Sequence, residues 1–154
     1  MATGPTGPTG SLEPSFLFVW SSDEQSLDPA SAPGEQGTAV AFTDVVTGGS
    51  GLSFTGLDGI DILESGYYNI TWNVFKRGYD SAFALFLDAA MVPGSNYGAL
   101  AHDEKFQGQA IAPLAAGGVL TLNRIDTLST QTLSTQISGG TPVTGASIVM
   151  MKIG

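Results

Sequence analysis

Few side chains in this sequence are of a type that does chemistry, and the first of them is a histidine. His102 is the single histidine and lies in the segment Ala101-His102-Asp103-Glu104. No nucleophile-elbow pattern surrounds a serine, so one histidine among many hydroxyls predicts a surface residue rather than a catalytic base. The chain has no cysteine, which excludes a thiol nucleophile, a thiolate metal site and a disulfide framework. We therefore predict a protein that is not an enzyme and uses no cofactor.

Two groups of carboxylates have the density that calcium binding would need. They are Asp58, Asp61 and Glu64 in one group, and Asp23, Glu24 and Asp28 in the other. Neither follows the twelve-residue spacing of an EF-hand, and carboxylates on exposed turns are usually just solvated. The run Gly48-Gly49-Ser50-Gly51 lacks the lysine of a phosphate-binding loop and predicts a turn. We predict no metal site.

The composition narrows the class of protein further. The net charge is −9, and the five basic residues do not cluster, which excludes nucleic acid as a partner. Charged residues are only 12% of the chain, against about 25% in ordinary soluble domains. Such a surface suits contacts between subunits, glycosylation or a harsh exterior setting. No apolar run reaches the roughly 18 residues of a membrane helix, so we predict no membrane partner.

The first residues have neither the basic nor the apolar region of a secretory signal. Export is therefore expected to use another route, or the N-terminus has been trimmed.

The segment 64–76 has the clearest period of two in the chain. Its even positions Tyr68, Ile70, Trp72 and Val74 are large and apolar, whereas the odd positions are mixed or polar. This alternation predicts a strand whose even face lies in a core. The odd face then meets either water or another copy of the chain, and we favour the second.

The rest of residues 15–154 reads as a series of about ten short strands separated by Gly/Pro turns, with no helical period. This pattern predicts an antiparallel sandwich. Residues 16–20 are apolar on both faces, which predicts burial on both. We also expect strands over 38–46 and 128–137, and long surface loops over 21–36 and 89–105.

The N-terminal segment contains three Gly-X-Y triplets, from Gly4 to Leu12, with Pro5 and Pro8 at X and with Gly7 and Gly10 continuing the register. Glycine at every third position is what a collagen triple helix requires. We predict that residues 1–14 are a short collagen-like stem. Three triplets are too few to hold three chains together, so the trimer must come from residues 15–154. The alternative is a flexible Gly/Pro/Thr tail.

Several segments together resemble a known family. They are the strand at Phe42, the start of a strand at Gly66-Tyr67-Tyr68-Asn69-Ile70, the strand Phe83-Ala84-Leu85-Phe86-Leu87, the segment ending in Pro113-Leu114 before a Gly-rich turn, and the apolar C-terminal strand. This arrangement resembles the tumour necrosis factor and complement-q globular heads. With the triplets in front, the chain looks like the C-terminal domain of collagen-like glycoproteins on bacterial spore surfaces.

The resemblance implies a jelly roll that forms a homotrimer, with one sheet of each protomer facing the threefold axis. It implies an interface made of Tyr67, Asn69 and Thr71 on one strand and of Gln107, Gln109 and Ile111 on another. The chain departs from the family in two ways. Its stem is short, and Gly117-Gly118 stand where the family commonly has an aspartate, which weakens the expectation that a calcium site carries over from the family.

The function we expect is structural: a trimeric building block of a spore-surface (exosporium) layer or fibre, on the extracellular surface, with a spore-surface anchoring protein as a further partner. Trimers would link head-to-tail through the stem. Phe16, Phe18 and Trp20 follow the stem and would anchor that junction if the core does not use them. The alternative is an adhesin or phage-fibre-type head that binds protein or glycan through its loops.

Overall fold

A computed structural model describes residues 3–5 and 14–154. Residues 14–154 form thirteen strands in two sheets that pack face to face. Neighbouring strands in each sheet are antiparallel. The all-β jelly-roll sandwich is confirmed. Three more strands form than the approximately ten expected, because the segments between the long strands form short strands of two or three residues.

The first sheet has at its centre the long strand that was predicted over residues 64–76. Its strands follow the order β2-β12-β6-β13-β1-β3, and β10 also pairs with β6. The bounds are β1 Phe16–Ser21, β2 Gln25–Leu27, β3 Asp44–Gly48, β6 Gly66–Arg77, β10 Lys105–Leu114, β12 Gln131–Leu133 and β13 Ala146–Lys152.

The second sheet covers the inner side of the first. Its strands follow the order β4-β5-β11-β7-β8, with β9 on β7. The bounds are β4 Leu52–Phe54, β5 Ile60–Ile62, β7 Ser81–Leu87, β8 Ala90–Met91, β9 Tyr97–Ala99 and β11 Val119–Arg124.

The core lies between the sheets and is built by the period of two. The even residues of β6, namely Tyr68, Ile70, Trp72 and Val74, are all fully buried, as predicted. Trp72 is the largest of them, and its ring contacts Phe83, Tyr97 and Phe106. On β10 the residue opposite Trp72 is Gly108, where a Cβ atom would collide with the indole ring. Glycine is therefore required at this position by close packing rather than by backbone conformation.

The two ends of the sandwich differ. The basal end contains the start of β1, the start of β6 and the last residues of the chain, where the backbone of Tyr67 accepts from Ile153 N–H and donates to Gly154. The apical end lies where β6 ends at Arg77 and contains the loops 78–80, 101–104 and 134–145. The twelve residues of β6 separate the ends by about 40 Å. The stem precedes β1 and thus joins the basal end.

A buried lysine closes the apical end. Lys76 is the last inward-facing residue of β6 and is fully buried, and its side-chain nitrogen donates to the carbonyl oxygens of Gly78, Tyr79 and Ala101. Buried polar groups are stable only when they are hydrogen-bonded. Lys76 therefore fixes loops 78–80 and 101–104 to each other.

A buried ion pair holds the neighbouring turn. Arg124 is almost fully buried and donates to Asp126, at 2.6 Å, and to the carbonyl oxygens of Leu27, Leu128 and Ser129. Burial by itself would raise the pKa of Asp126. Hydrogen bonds from Arg124 and from neighbouring N–H and O–H groups outweigh it and hold that pKa below its usual value.

The prediction that β1 is buried on both faces is wrong. Leu17 and Val19 point into the core, but Phe16 and Phe18 are 38% and 37% exposed, and Trp20 is partly exposed. The reason is that nothing within the described part of the protomer covers the outer side of this sheet. An apolar run shows that both faces avoid water but does not show that one chain covers both.

Two of the expected strands are shorter in the structure. Over 38–46 the strand begins only at Asp44. Val40 and Phe42 are buried, but their N–H groups donate to the carbonyl oxygens of Leu122 and Leu57, which belong to different segments. This part of the chain therefore forms no continuous ladder with one neighbouring strand. Over 128–137 only Gln131–Leu133 is strand. The carbonyl oxygens of Leu128 and Ser129 accept hydrogen bonds from Arg124, and Ile137 begins a tight turn. The expected loops 21–36 and 89–105 contain the short strands β2, β8 and β9.

Candidate trimer interface

The outward side of β6 carries three of the predicted interface residues. Alternation turns Tyr67, Asn69 and Thr71 away from the core, since successive side chains of a strand point to opposite faces. Tyr67 is 54% exposed and Asn69 is exposed, whereas Thr71 is half-buried. A single exposed aromatic is ordinary, so Tyr67 indicates a partner only together with its exposed neighbours on the same sheet.

The other three predicted residues lie beside them. In the β6–β10 pairing, Ile111 is opposite Asn69 and Gln109 is opposite Thr71, with Gln107 next along the strand. All three are exposed, and Ile111 is 64% exposed. The structure thus brings the six residues together on one face, which the sequence alone could not do because β6 and β10 are about forty residues apart.

Sequence reasoning missed the apolar half of the same face. On the other side of β6, Val149 of β13 is opposite Thr71, and Met151 is opposite Asn69. Both are exposed. The run Ile148 to Met151 is apolar throughout, so its sequence has no alternation that would separate inward from outward residues. Only the pairing of β13 with β6 identifies Val149 and Met151 as outward.

The predicted junction anchors extend this apolar half. Phe16 pairs with Met151, and Phe18 pairs with Val149, so the β1 aromatics continue the same rows across the sheet. The rings of Phe18 and Trp20 are stacked with centroids 4.9 Å apart. The core of the protomer leaves part of these aromatic side chains exposed, so they are free to anchor a junction with another trimer, as predicted for the case in which the core does not use them. Their place beside the candidate interface also gives them a second candidate partner, the neighbouring protomer.

We call the outward side of β10, β6, β13 and β1 the outer face. Its amide half is formed by the amides of Asn69, Gln107 and Gln109 and the hydroxyl of Thr71, next to the exposed Tyr67 and Ile111. Its apolar half is formed by Val149, Met151, Phe16 and Phe18. Among the outward residues of these four strands, the charged ones are Lys105 and Arg77, both near the apical end. A central surface without charge is unusual in a chain of net charge −9, and it suits a threefold axis, where like charges would repel.

One buried acceptor also lies on this face. Asn73 points outward between Gln107 of β10 and Ser147 of β13. Its Oδ1 atom is buried and has no hydrogen-bond donor within the described part of the chain. A buried acceptor without a donor is costly, and a donor from a second protomer would satisfy it.

The residues considered for catalysis or metal binding are not assembled into a site. The His102 side chain is 60% exposed and lies 3.4 Å from Asp103. A hydrogen bond from Gly78 N–H is the largest cause that lowers the pKa of Asp103, followed by one from His102. Asp103 thus organises the apical loops. Within residues 3–5 and 14–154, no group of three or more histidine and carboxylate side chains could hold a metal ion.

The stem prediction falls mainly on residues 6–13, including Gly7, Pro8 and Gly10, which lie outside the described residues; Gly4 and Pro5 are described. In the part of the chain that the structure covers, no helix is long and apolar enough to cross a membrane.

The fold is that of tumour necrosis factor and complement 1q heads. No protein-family model and no curated protein sequence matches the chain. Among solved structures, murine APRIL is 14% identical with a TM-score of 0.59, and the match covers 91% of this chain and 99% of that one. The globular domain of zebrafish complement 1qA is 10% identical with a TM-score of 0.59, covering 91% and 98%.

A third similar structure is vertex protein P5 of PRD1, at 15% identity and a TM-score of 0.57, covering 94% of this chain and 99% of that one. Likeness at such low identity establishes the shape of the sandwich alone.

Proposed function

We propose that this protein is a non-enzymatic, homotrimeric structural unit of an extracellular layer or fibre on the bacterial spore surface. The outer face is the observation that carries the proposal. It combines an uncharged amide half with an apolar half on one sheet, and it remains exposed in the protomer. Isolated exposed apolar residues are ordinary, but a contiguous group on a regular sheet marks an interaction site.

The two halves suit a threefold interface in particular. Around a threefold axis each protomer meets its neighbours through two different patches, because the contact is heterologous and closes into a ring. The β6 and β10 residues form one such patch, and the β13 and β1 residues form another. A twofold dimer would instead require one self-complementary patch.

The fibre part of the proposal rests on the stem. Gly4 to Leu12 has the Gly-X-Y register and no charged residue, while the chain as a whole has a net charge of −9. An uncharged segment can approach a trimer of net negative charge without the repulsion that a negatively charged segment would meet. The stem joins the basal end, so docking onto the apical end of a neighbouring trimer would be head-to-tail. Such a contact does not close and would therefore polymerise. A spore-surface anchoring protein would hold the first trimer.

Light scattering during gel filtration, followed by negative-stain microscopy, tests both parts. We expect a mass of three chains or a multiple of it, and linear particles that lengthen with concentration. Deleting residues 1–13 should leave trimers and abolish the linear particles. Monomers would overturn the whole proposal, whereas unchanged linear particles after the deletion would reduce the stem to a tail.

A recognition head is the second candidate, and one groove favours it. A groove of about 460 Å³ lies between β10 and the 89–105 segment, and its lining includes Tyr97, Pro93 and Gly94. It also includes Asn69, Gln109 and Ile111 of the candidate trimer interface, so recognition through this groove is an alternative to a subunit contact there. Tyrosine and amide groups in a groove are suited to sugars or peptides. A glycan array probed with the full-length protein and with Tyr97→Ala tests this role. Because the Tyr97 ring also contacts Trp72, loss of binding supports a recognition head only if Tyr97→Ala keeps the circular dichroism and melting temperature of the wild type. An array without binding would leave the structural role.

A further inference from the structure

The apical end of the outer face carries a second groove, which none of the six predicted interface residues lines. It has a volume of about 360 Å³ and is lined by Phe75, Arg77 and Asp103 together with loop residues 136–140. Phe75 and Arg77 are outward residues of β6, on the same side as Asn69 and Thr71. The groove therefore continues the outer face at its apical end.

We propose that this apical groove is the acceptor for the N-terminal stem of the next trimer, with one stem chain in each of three grooves. The inference rests on the proposed trimer and fibre. If the outer face looks toward the threefold axis, the grooves of the three protomers surround that axis at the apical end. The stems leave the opposite, basal end. Stem and groove then lie on one line, as head-to-tail stacking requires.

The chemistry of the groove fits the sequence of the stem. A polyproline-II segment makes no internal hydrogen bonds, so its carbonyl oxygens need donors, and its proline rings need apolar contacts. Phe75 and Ile137 supply apolar surface. Arg77 supplies donors, since its contact with Glu24 is 4.0 Å long, which is longer than a hydrogen bond.

The wall of the groove is shaped by a tight turn. Ile137 N–H donates to Thr141, Gly140 N–H donates to Ile137, and Gly139 and Gly140 both have positive φ angles, of 91° and 86°. No atom lies within 4 Å of the place where a Cβ would stand on either glycine. Bare backbone thus faces open space, and a second extended chain can approach it closely.

A disulfide test uses the absence of cysteine from the chain. The test variant combines Thr9→Cys with Ser138→Cys, at a position that lines the groove. The matched control combines Thr9→Cys with Ser129→Cys, at a position that is exposed at the same apical end but does not line the groove. Position 9 is five residues from Pro14 and reaches at most about 18 Å from it. It therefore cannot reach position 138 of its own protomer, about 40 Å away along β6.

After mild oxidation of the full chain, we expect a ladder of linked chains longer than a trimer, with peptide mapping that finds position 9 joined to position 138. We expect at least tenfold less linking of position 9 to position 129 in the control, since a disulfide needs Cα atoms about 4.4–6.8 Å apart.

Two outcomes would count against the proposal, and they are distinguishable. Linear particles in which positions 9 and 138 are not linked, or in which the control links equally well, would overturn this groove as the acceptor and leave the proposed fibre standing. Absence of any linear particle would overturn both.

Discussion

The two sides of β6 divide its twelve residues between different roles. Its even residues are fully buried, from Tyr68 to Lys76, whereas its odd residues carry the outer face from Tyr67 to Arg77. The inward side determines whether the protomer folds. The outward side contributes little to the core, and the proposed trimer would give its amide and apolar residues a role. Substitutions on the two sides should therefore change different measurements.

The largest effect on folding should come from Trp72→Ala. Removing a fully buried indole that contacts Phe83, Tyr97 and Phe106 is expected to lower the free energy of unfolding by about 3–5 kcal/mol. Urea unfolding at fixed protein concentration measures it. Both substitutions are compared in the Asn69→Lys background, which we expect to be monomeric. There Tyr67→Ala, on the outward side of the same strand, is the control and should change the free energy of unfolding by less than about 0.5 kcal/mol. Equal losses for both variants would show that the two sides are not distinct.

The next effect concerns acid stability at the apical end. Asp126→Asn leaves Arg124 buried without its carboxylate, which should cost about 3 kcal/mol at neutral pH. Because the folded pKa of Asp126 is lowered, its stabilisation is present above the unfolded value of about 3.9 and is lost as pH falls through the folded pKa. The variant should therefore lose less stability than the wild type below about pH 4. Exposed Asp80→Asn is the control, and an acid profile of Asp126→Asn identical to the wild type would contradict the account.

A smaller effect should come from Lys76→Met, which replaces the one charged residue on the inward side of β6. Methionine keeps the length of the side chain but donates no hydrogen bond, so three carbonyl oxygens lose their shared donor. We expect a loss of about 2 kcal/mol and faster amide exchange in loops 78–80 and 101–104. Arg77→Met, on the outward side, is the matched control. Unchanged exchange in the loops of Lys76→Met would show that the lysine does not hold them.

How far the sequence predicts this fold depends on whether its pattern alternates. Tyr68 to Val74 alternate with polar residues, and both the strand and its buried side follow from that alternation alone. Phe16 to Trp20 and Ile148 to Met151 are apolar throughout, so their outward residues become visible only when the sheet order places them beside β6. The six predicted interface residues came from a resemblance, and the structure brings them onto one face.

Lys76 marks a different limit of sequence reasoning. A lysine that continues an apolar alternation reads as the point where a strand reaches water, yet here it is fully buried because three loop carbonyls meet it. Those carbonyls belong to residues 78, 79 and 101, and their convergence is a property of the folded loops. No local pattern at residue 76 contains it.

The most direct test of the account is the mass of the protein in solution with and without Asn69→Lys. Asn69 lies on the outer face between Ile111 and Met151, with its side chain turned away from the core, so the variant should fold normally. Around a threefold axis it would place three like charges close together. Light scattering should give a trimer for the wild type and a folded monomer for Asn69→Lys, with Asn69→Gln still trimeric. A wild-type monomer, or an intact Asn69→Lys trimer, would contradict the claim that the outer face joins three copies of this chain.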